Sequence, residues 1–313
     1  MKPLTTLFAG TPEFPVPALQ ALIDSPHRPV AVLTQPDRGA GRGRRIQFSP
    51  VKQCALNAGI DVLQPTSLRA PDIQARIAAL QPDLIITAAY GLLVPPAILE
   101  LPRHGCWNLH ASLLPRWRGA SPINQAILAG DPETGVSLMQ MDAGLDTGPV
   151  LLAEAVDIQP DDNAGSLHDR LSLVARQVLM SGLERLLQGS LPEPIPQNDA
   201  LATHAPLIRK DDARVDWEQP ATVLAREVRG YTPWPVAHGE IEGLGFRIFS
   251  AQAVETPNPA RDLAPGELLR GLDTRDAIVI RCGEGCLAIE SLQAPGRKRL
   301  SARDWLNAHP DWR

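Results

Sequence analysis

The sequence predicts a parallel α/β domain followed by a smaller β domain, and three features of the chain carry that expectation. Over the first two thirds, short apolar runs alternate with stretches of helical periodicity, as strands joined by crossover helices require. The stretch Leu191-Pro-Glu-Pro-Ile-Pro196 then interrupts the pattern, since prolines at alternate positions favour an extended chain. Beyond it come short strand-like runs at 245–251, 277–281 and 287–292, the mark of a small β domain. A length of 313 residues also exceeds the usual single domain. The expected division is a first domain over 1–189, a linker over 190–206 and a second domain over 207–313.

The elements follow in order. Leu4 to Gly10 reads as a strand that ends in glycine, and Val16 to Ile23 as the helix after it. A dinucleotide site would place Gly-x-Gly-x-x-Gly at this first turn so that backbone N–H groups reach a pyrophosphate. The chain has Gly10-Thr-Pro-Glu-Phe-Pro15 there, and proline removes those donors, which argues against a dinucleotide dehydrogenase. Pro29 to Thr34 is the second strand. Helices near 49–58 and 71–80 flank a brief strand at Val62. Asp83 to Ala88 is apolar enough for a central parallel strand, and Ala88-Ala-Tyr-Gly91 lies at its carboxyl end, where open α/β sheets bind ligands. Cys106 to His110 is the next strand, followed by a helix over 121–128 and strands over 135–141 and 150–158. Leu167, Leu171, Val174, Val178, Leu183 and Leu186 mark one face of a long helix.

Composition excludes several classes. With 44% hydrophobic residues and mixed charge, the chain is globular. It opens without a charged region followed by a long apolar run, and no window approaches a membrane span, so a cytoplasmic location is expected. The four cysteines are scattered, which predicts reduced thiols and no metal site. A net charge of −5 means that any contact with RNA must rest on local patches. One such patch is Gln35-Pro-Asp-Arg-Gly-Ala-Gly-Arg-Gly-Arg-Arg45, read as a flexible loop whose Arg38, Arg42, Arg44 and Arg45 suit phosphates. Lys210, Arg297, Lys298 and Arg299 are further candidate phosphate contacts.

The chemistry-bearing stretch is Asn108-Leu-His-Ala-Ser-Leu-Leu-Pro115, followed about thirty residues later by Asp142-Ala-Gly-Leu-Asp-Thr-Gly148. Asn108 and His110 are two apart, so on a strand they face the same side. An amide, an imidazole and a carboxylate at a strand end are the parts of an acyl-transfer site. Asn108, His110 and Asp146 are therefore the expected catalytic unit.

This joint pattern resembles the folate-dependent formyltransferases, and the wider chain resembles the methionyl-tRNA formyltransferases over nearly its whole length. The resemblance implies a Rossmann-like first domain and an OB-like barrel, the latter carrying the segment Arg226 to Pro235 that ends in Pro-Trp-Pro. It implies 10-formyltetrahydrofolate as formyl donor, with Ser112, Leu113, Leu114 and Pro115 contacting folate, Asp142 touching the pterin or merely capping its turn, and the loop at Ala88 and Tyr90 against the pterin ring. It implies a charged initiator tRNA as acceptor, with the arginine-rich loop entering the acceptor end. Asn108 would donate to the formyl oxygen, while His110 would donate to the same oxygen or move protons. Asp146 would hold His110, favour its protonated form, or take the amine proton. A monomer is expected. The alternative acceptor is the amine of a sugar nucleotide.

Overall fold

The computed structural model describes residues 3–40, 45–257, 262–271 and 276–312, with only the backbone of 40, 45 and 46. Arg42 and Arg44 lie outside the described residues, and so does the side chain of Arg45. The chain forms two compact units. One comprises Met1–Pro122, Glu133–Asp157 and His168–Ala205; the other comprises Ile123–Pro132, Ile158–Leu167 and Pro206–Arg313.

The first unit is organised by one sheet. Its strands and helices are β1 (Thr6–Gly10), α1 (Val16–Ile23), β2 (Pro29–Leu33), β3 (Arg38–Ala40), β4 (Arg45–Gln47), α2 (Pro50–Asn57), β5 (Asp61–Leu63), α3 (Pro71–Ala79), β6 (Leu84–Ala88), α4 (Pro96–Leu99) and β7 (Cys106–His110). They are followed by β8 (Arg118–Gly119), β9 (Glu133–Gln140), β10 (Val150–Asp157), α6 (Ala164–Gln188), whose residues up to Leu167 fall in the second unit, and β11 (His204–Ala205); α5 (Pro122–Ala129), between β8 and β9 in the chain, belongs to the second unit from Ile123 onward. The seven-stranded sheet runs β10-β9-β7-β6-β1-β2-β5. From β5 to β7 all neighbours are parallel, and β9 and β10 then add an antiparallel edge. β1 and β6 are buried at every position, which explains their unbroken apolar runs. Ser49 caps α2 by accepting the Lys52 N–H, and Pro50 fills the first helical position.

Two expectations change here. The arginine-rich stretch was expected as a flexible loop, yet Arg38–Ala40 pairs antiparallel with Arg45–Gln47, Arg38 opposite Gln47. Its base is held by side chains: Lys52 Nζ meets Asp37 Oδ2 at 2.5 Å and Gln64 Oε1 at 2.7 Å, and Gln64 Nε2 donates to Asp37 Oδ1 at 2.9 Å. Those pairings span 12 to 27 positions and leave no local signal in the sequence. The proline-spaced stretch expected as a linker is likewise fastened to the first unit. Ile195 exchanges both backbone hydrogen bonds with Val150 at 2.8 Å, and His204–Ala205 pairs with Arg118–Gly119.

The second unit contains α7 (Ala221–Gly230), β12 (Ala237–Ile241), β13 (Leu244–Val254), β14 (Ile278–Arg281), β15 (Cys286–Gln293), β16 (Leu300–Ser301) and α8 (Ala302–Ala308). Its sheet runs β12-β13-β15-β14 with β16 beside β15, antiparallel throughout, in a half-barrel. Leu224, Phe246, Ile248, Ile280, Leu287 and Trp305 anchor its core.

Candidate active site

β6 and β7 lie side by side and parallel, with Thr87 opposite Asn108, so both deliver polar side chains near the carboxyl edge of the sheet. β9 runs antiparallel to β7 and leads into the turn 142–149, which returns Asp146 to that edge. Within the turn, Asp142 Oδ1 accepts the Gly144 N–H at 2.9 Å and the Thr147 hydroxyl at 2.6 Å. Asp142 is thus an exposed carboxylate that caps its own loop.

The three expected catalytic side chains meet. Asn108 Nδ2 stands 3.4 Å from Asp146 Oδ1, and His110 Nδ1 stands 3.6 Å from Asp146 Oδ2. Asp146 Oδ2 also accepts the Gly119 N–H at 2.9 Å. The Thr87 hydroxyl lies 2.9 Å from Asn108 Oδ1, which fixes the amide with its N–H₂ toward Asp146. His110 Nε2 faces the Trp117 carbonyl at 2.8 Å. A carbonyl only accepts, so Nε2 carries the proton and the nitrogen left toward Asp146 is Nδ1. Asp146 is therefore the hub of the group, touching the amide with one oxygen and facing the imidazole with the other. His110 is buried, and Asp146 is 13% exposed on its side chain, so little water reaches the space between them.

Backbone conformation is unusual at the same place. Ala89, Trp117 and Asp146 have φ of 44°, 63° and 54°, in the left-handed region that costs a non-glycine residue about 1 kcal/mol or more. Gly119 has φ 120°, and a Cβ there would lie 2.6 Å from the Ala205 carbonyl oxygen, so only glycine fits.

The expected folate-loop residues divide by exposure. Leu113, Leu114 and Pro115 are partly open, and Leu114 N–H donates to Ser137 Oγ at 3.1 Å. Ser112 is fully buried, with its hydroxyl donating to the Arg116 carbonyl at 2.6 Å; Ala88 is fully buried as well. Tyr90 is 4% exposed, and it packs in the apolar core beside a small cavity also lined by Leu33, Ile77 and Ile98. Burial pushes its phenol well above the ordinary range, and the hydroxyl has no hydrogen-bond partner. Its carbonyl, by contrast, accepts from Thr11 Oγ1 and Gln35 Nε2.

The expected RNA-contacting cations Arg38, Lys210, Arg297, Lys298 and Arg299 are all exposed. Arg38 donates to Gln35 Oε1 at 3.2 Å, and Arg299 covers the Phe249 ring at 4.6 Å. Gln197 and Thr203 carry no signal in the sequence, and Arg118, close in sequence to the folate loop, turns toward the protein. Arg118, 5% exposed, donates to Gln197 Oε1 at 2.9 Å and pairs with Asp199 at 2.8 Å. No helix among the described residues is long and apolar enough to cross a membrane.

Known sequences and structures resemble this chain over most of its length. Residues 4–183 match the profile described as "Formyl transferase", and residues 207–310 match "Formyl transferase, C-terminal domain". The chain is 49% identical to the methionyl-tRNA formyltransferase of Pseudomonas paraeruginosa, covering 96% of this chain and 95% of that one. It is 51% identical to the methionyl-tRNA formyltransferase of Xanthomonas campestris pv. campestris, covering 97% of each. Among solved structures, the N-formyltransferase of Helicobacter canadensis, in complex with folinic acid and dTDP-3-aminofucose, shares the fold with a TM-score of 0.65 at 16% identity. That match covers 91% of this chain and 99% of the other.

Proposed function

Since the chain belongs to the formyl transferase family, matching both of its parts, we propose that it transfers a formyl group from 10-formyltetrahydrofolate to the α-amino group of methionyl-initiator tRNA. The observation that carries this acceptor is identity near one half, over almost the full length, with enzymes named for it. The protein works in the cytoplasm as a monomer, with residues 1–189 as the catalytic domain and 207–313 engaging tRNA.

The reaction asks little of the nucleophile. An α-amine titrates near pH 7.7 to 8, and esterification lowers that further, so a useful neutral fraction exists unaided. The amine nitrogen attacks the formyl carbon, the bond to N10 of the folate breaks, and one proton passes from the amine to the departing nitrogen. Charge develops on the formyl oxygen meanwhile. Asn108 Nδ2 carries two N–H bonds and has Asp146 as one neighbour, which leaves the second donor for that oxygen. Asp146 takes the amine proton, because it is the acceptor nearest both other groups. His110 receives it through Nδ1 and returns it toward N10, its Nε2 being occupied by the Trp117 carbonyl.

The test supplies 10-formyltetrahydrofolate with charged initiator tRNA, a charged elongator tRNA or an amino sugar nucleotide, and follows where the formyl group goes. Formyl-methionyl initiator tRNA is the expected product. Transfer to the sugar nucleotide alone would overturn the acceptor, and transfer to none of them would overturn the chemistry.

A further inference from the structure

We propose that Gln197 is a positioning residue of the transfer site, the pin by which segment 195–205 holds Asp146 toward Asn108 and His110. The proposal rests on the catalytic role given above to Asp146, and its test separates the two.

Gln197 lies in the proline-spaced stretch beyond the long helix, where the sequence offers no chemical motif. Its side chain nevertheless reaches the site loop. Nε2 donates to the carbonyl of Asp146 at 2.8 Å and to that of Gly148 at 2.7 Å, while Oε1 accepts from Arg118 Nε at 2.9 Å. A primary amide offers two N–H bonds and an accepting oxygen, so both donors and the acceptor are engaged. Glutamate has no N–H and would set a carboxylate against two carbonyls. Asparagine is one methylene short. Methionine matches the length and brings neither donor.

The same segment also fixes the partner of His110. Thr203 Oγ1 accepts the Trp117 N–H at 2.9 Å, and the Thr203 carbonyl accepts the Arg118 N–H at 2.9 Å. Trp117 is the residue whose carbonyl receives His110 Nε2. One strap thus restrains the loop that supplies the carboxylate and the loop that sets the imidazole tautomer. Restraint is needed because Asp146 and Trp117 both hold left-handed backbone, which persists in a non-glycine residue only when surrounding bonds impose it.

The experiment compares intact protein with Gln197→Met and Gln197→Glu, each alone and combined with Asp146→Asn. Gln197→Met is expected to lower kcat by at least about tenfold with KM for either substrate changed less than about twofold, since a misplaced group loses the transition state and not ground-state binding. In the Asp146→Asn background the same substitution should add less than about twofold, because the two residues act as one unit. Full turnover by both Gln197 variants, or an equal loss in both backgrounds, would overturn the proposal. If Asp146→Asn alone turns over normally, the catalytic reading fails instead. The strap is then judged by amide hydrogen exchange across 142–149 in the protein without substrates, which should quicken in Gln197→Met. Unchanged exchange there would overturn it. Gln197→Glu, whose carboxylate keeps the Arg118 contact, guards against a folding defect and should show the same pattern.

Discussion

In the first unit, Asp146 is held on three sides: by the Gly119 N–H on one carboxylate oxygen, by Asn108 on the other, and by Gln197 on its backbone carbonyl. In the second unit, Arg297, Lys298 and Arg299 stand exposed on the turn before β16, with Arg299 Nε resting on Ser291 Oγ at 2.7 Å. The contrast matches the role proposed for each surface. Moving a proton and stabilising an oxyanion depends on placement to within an ångström, which suits a buried His110, a partly buried Asn108 and a paired Asp146 held on left-handed backbone. Holding a polyanion depends on the number of charges near it, and long exposed side chains supply that without fixed geometry.

The largest effect expected is at the placed group. Asn108→Ala should lower kcat by roughly a hundredfold, about 3 kcal/mol, with folate binding retained, as measured by single-turnover formyl transfer. Retained turnover would break the contrast. Gly119→Ala should come next. It puts a Cβ into the Ala205 carbonyl and forces a backbone angle that alanine resists, costing about 1–3 kcal/mol of stability and shifting the N–H that Asp146 accepts. Calorimetry and kcat together check it, and the loss of rate should exceed what unfolding explains.

Neutralising Arg297, Lys298 and Arg299 together should leave kcat intact and flatten the dependence of log affinity on log salt by about 2. An unchanged slope would remove this turn from the RNA surface. Lys52→Met should act more weakly still. It frees Asp37, whose carboxyl the Lys52 hydrogen bond holds below the usual range, and so loosens the base of the β3–β4 pair. A modest rise in KM for tRNA without a change in KM for folate is expected.

The smallest effect is one of pH. Burial holds His27 below its ordinary value of 6.5, and its Nδ1 accepts the Leu4 N–H at 3.0 Å. Between 6.5 and that lower folded value the unfolded chain binds the extra proton and the folded chain does not, so stability falls as pH drops through this window. Above 6.5 neither state is protonated and the contribution is flat. Thermal melts from pH 7.5 to 5.5 should show the decline, and His27→Gln should shallow it.

What the sequence determined by itself is what short-range rules govern. Cys106–His110 was legible as a strand to the residue, since period-two geometry needs only neighbours, and this alone put Asn108 and His110 on one side. The alternation of strands and helices, the stripe of α6 and the carboxyl-edge location of the site follow from the same local patterns. The glycine-rich stretch 142–148 added Asp146 to the pair, as the carboxylate an acyl-transfer site needs. Only the tertiary structure decided how that carboxylate is held. The ties from Gln197 to Asp146, from Arg118 to Gln197 and from Trp117 to Thr203 cross 51, 79 and 86 positions. They join residues that carry no periodicity and no shared motif, on a stretch whose prolines read as a spacer. Hydrogen bonds of that range depend on which segments the folded sheet brings to one edge, and composition leaves no trace of that choice.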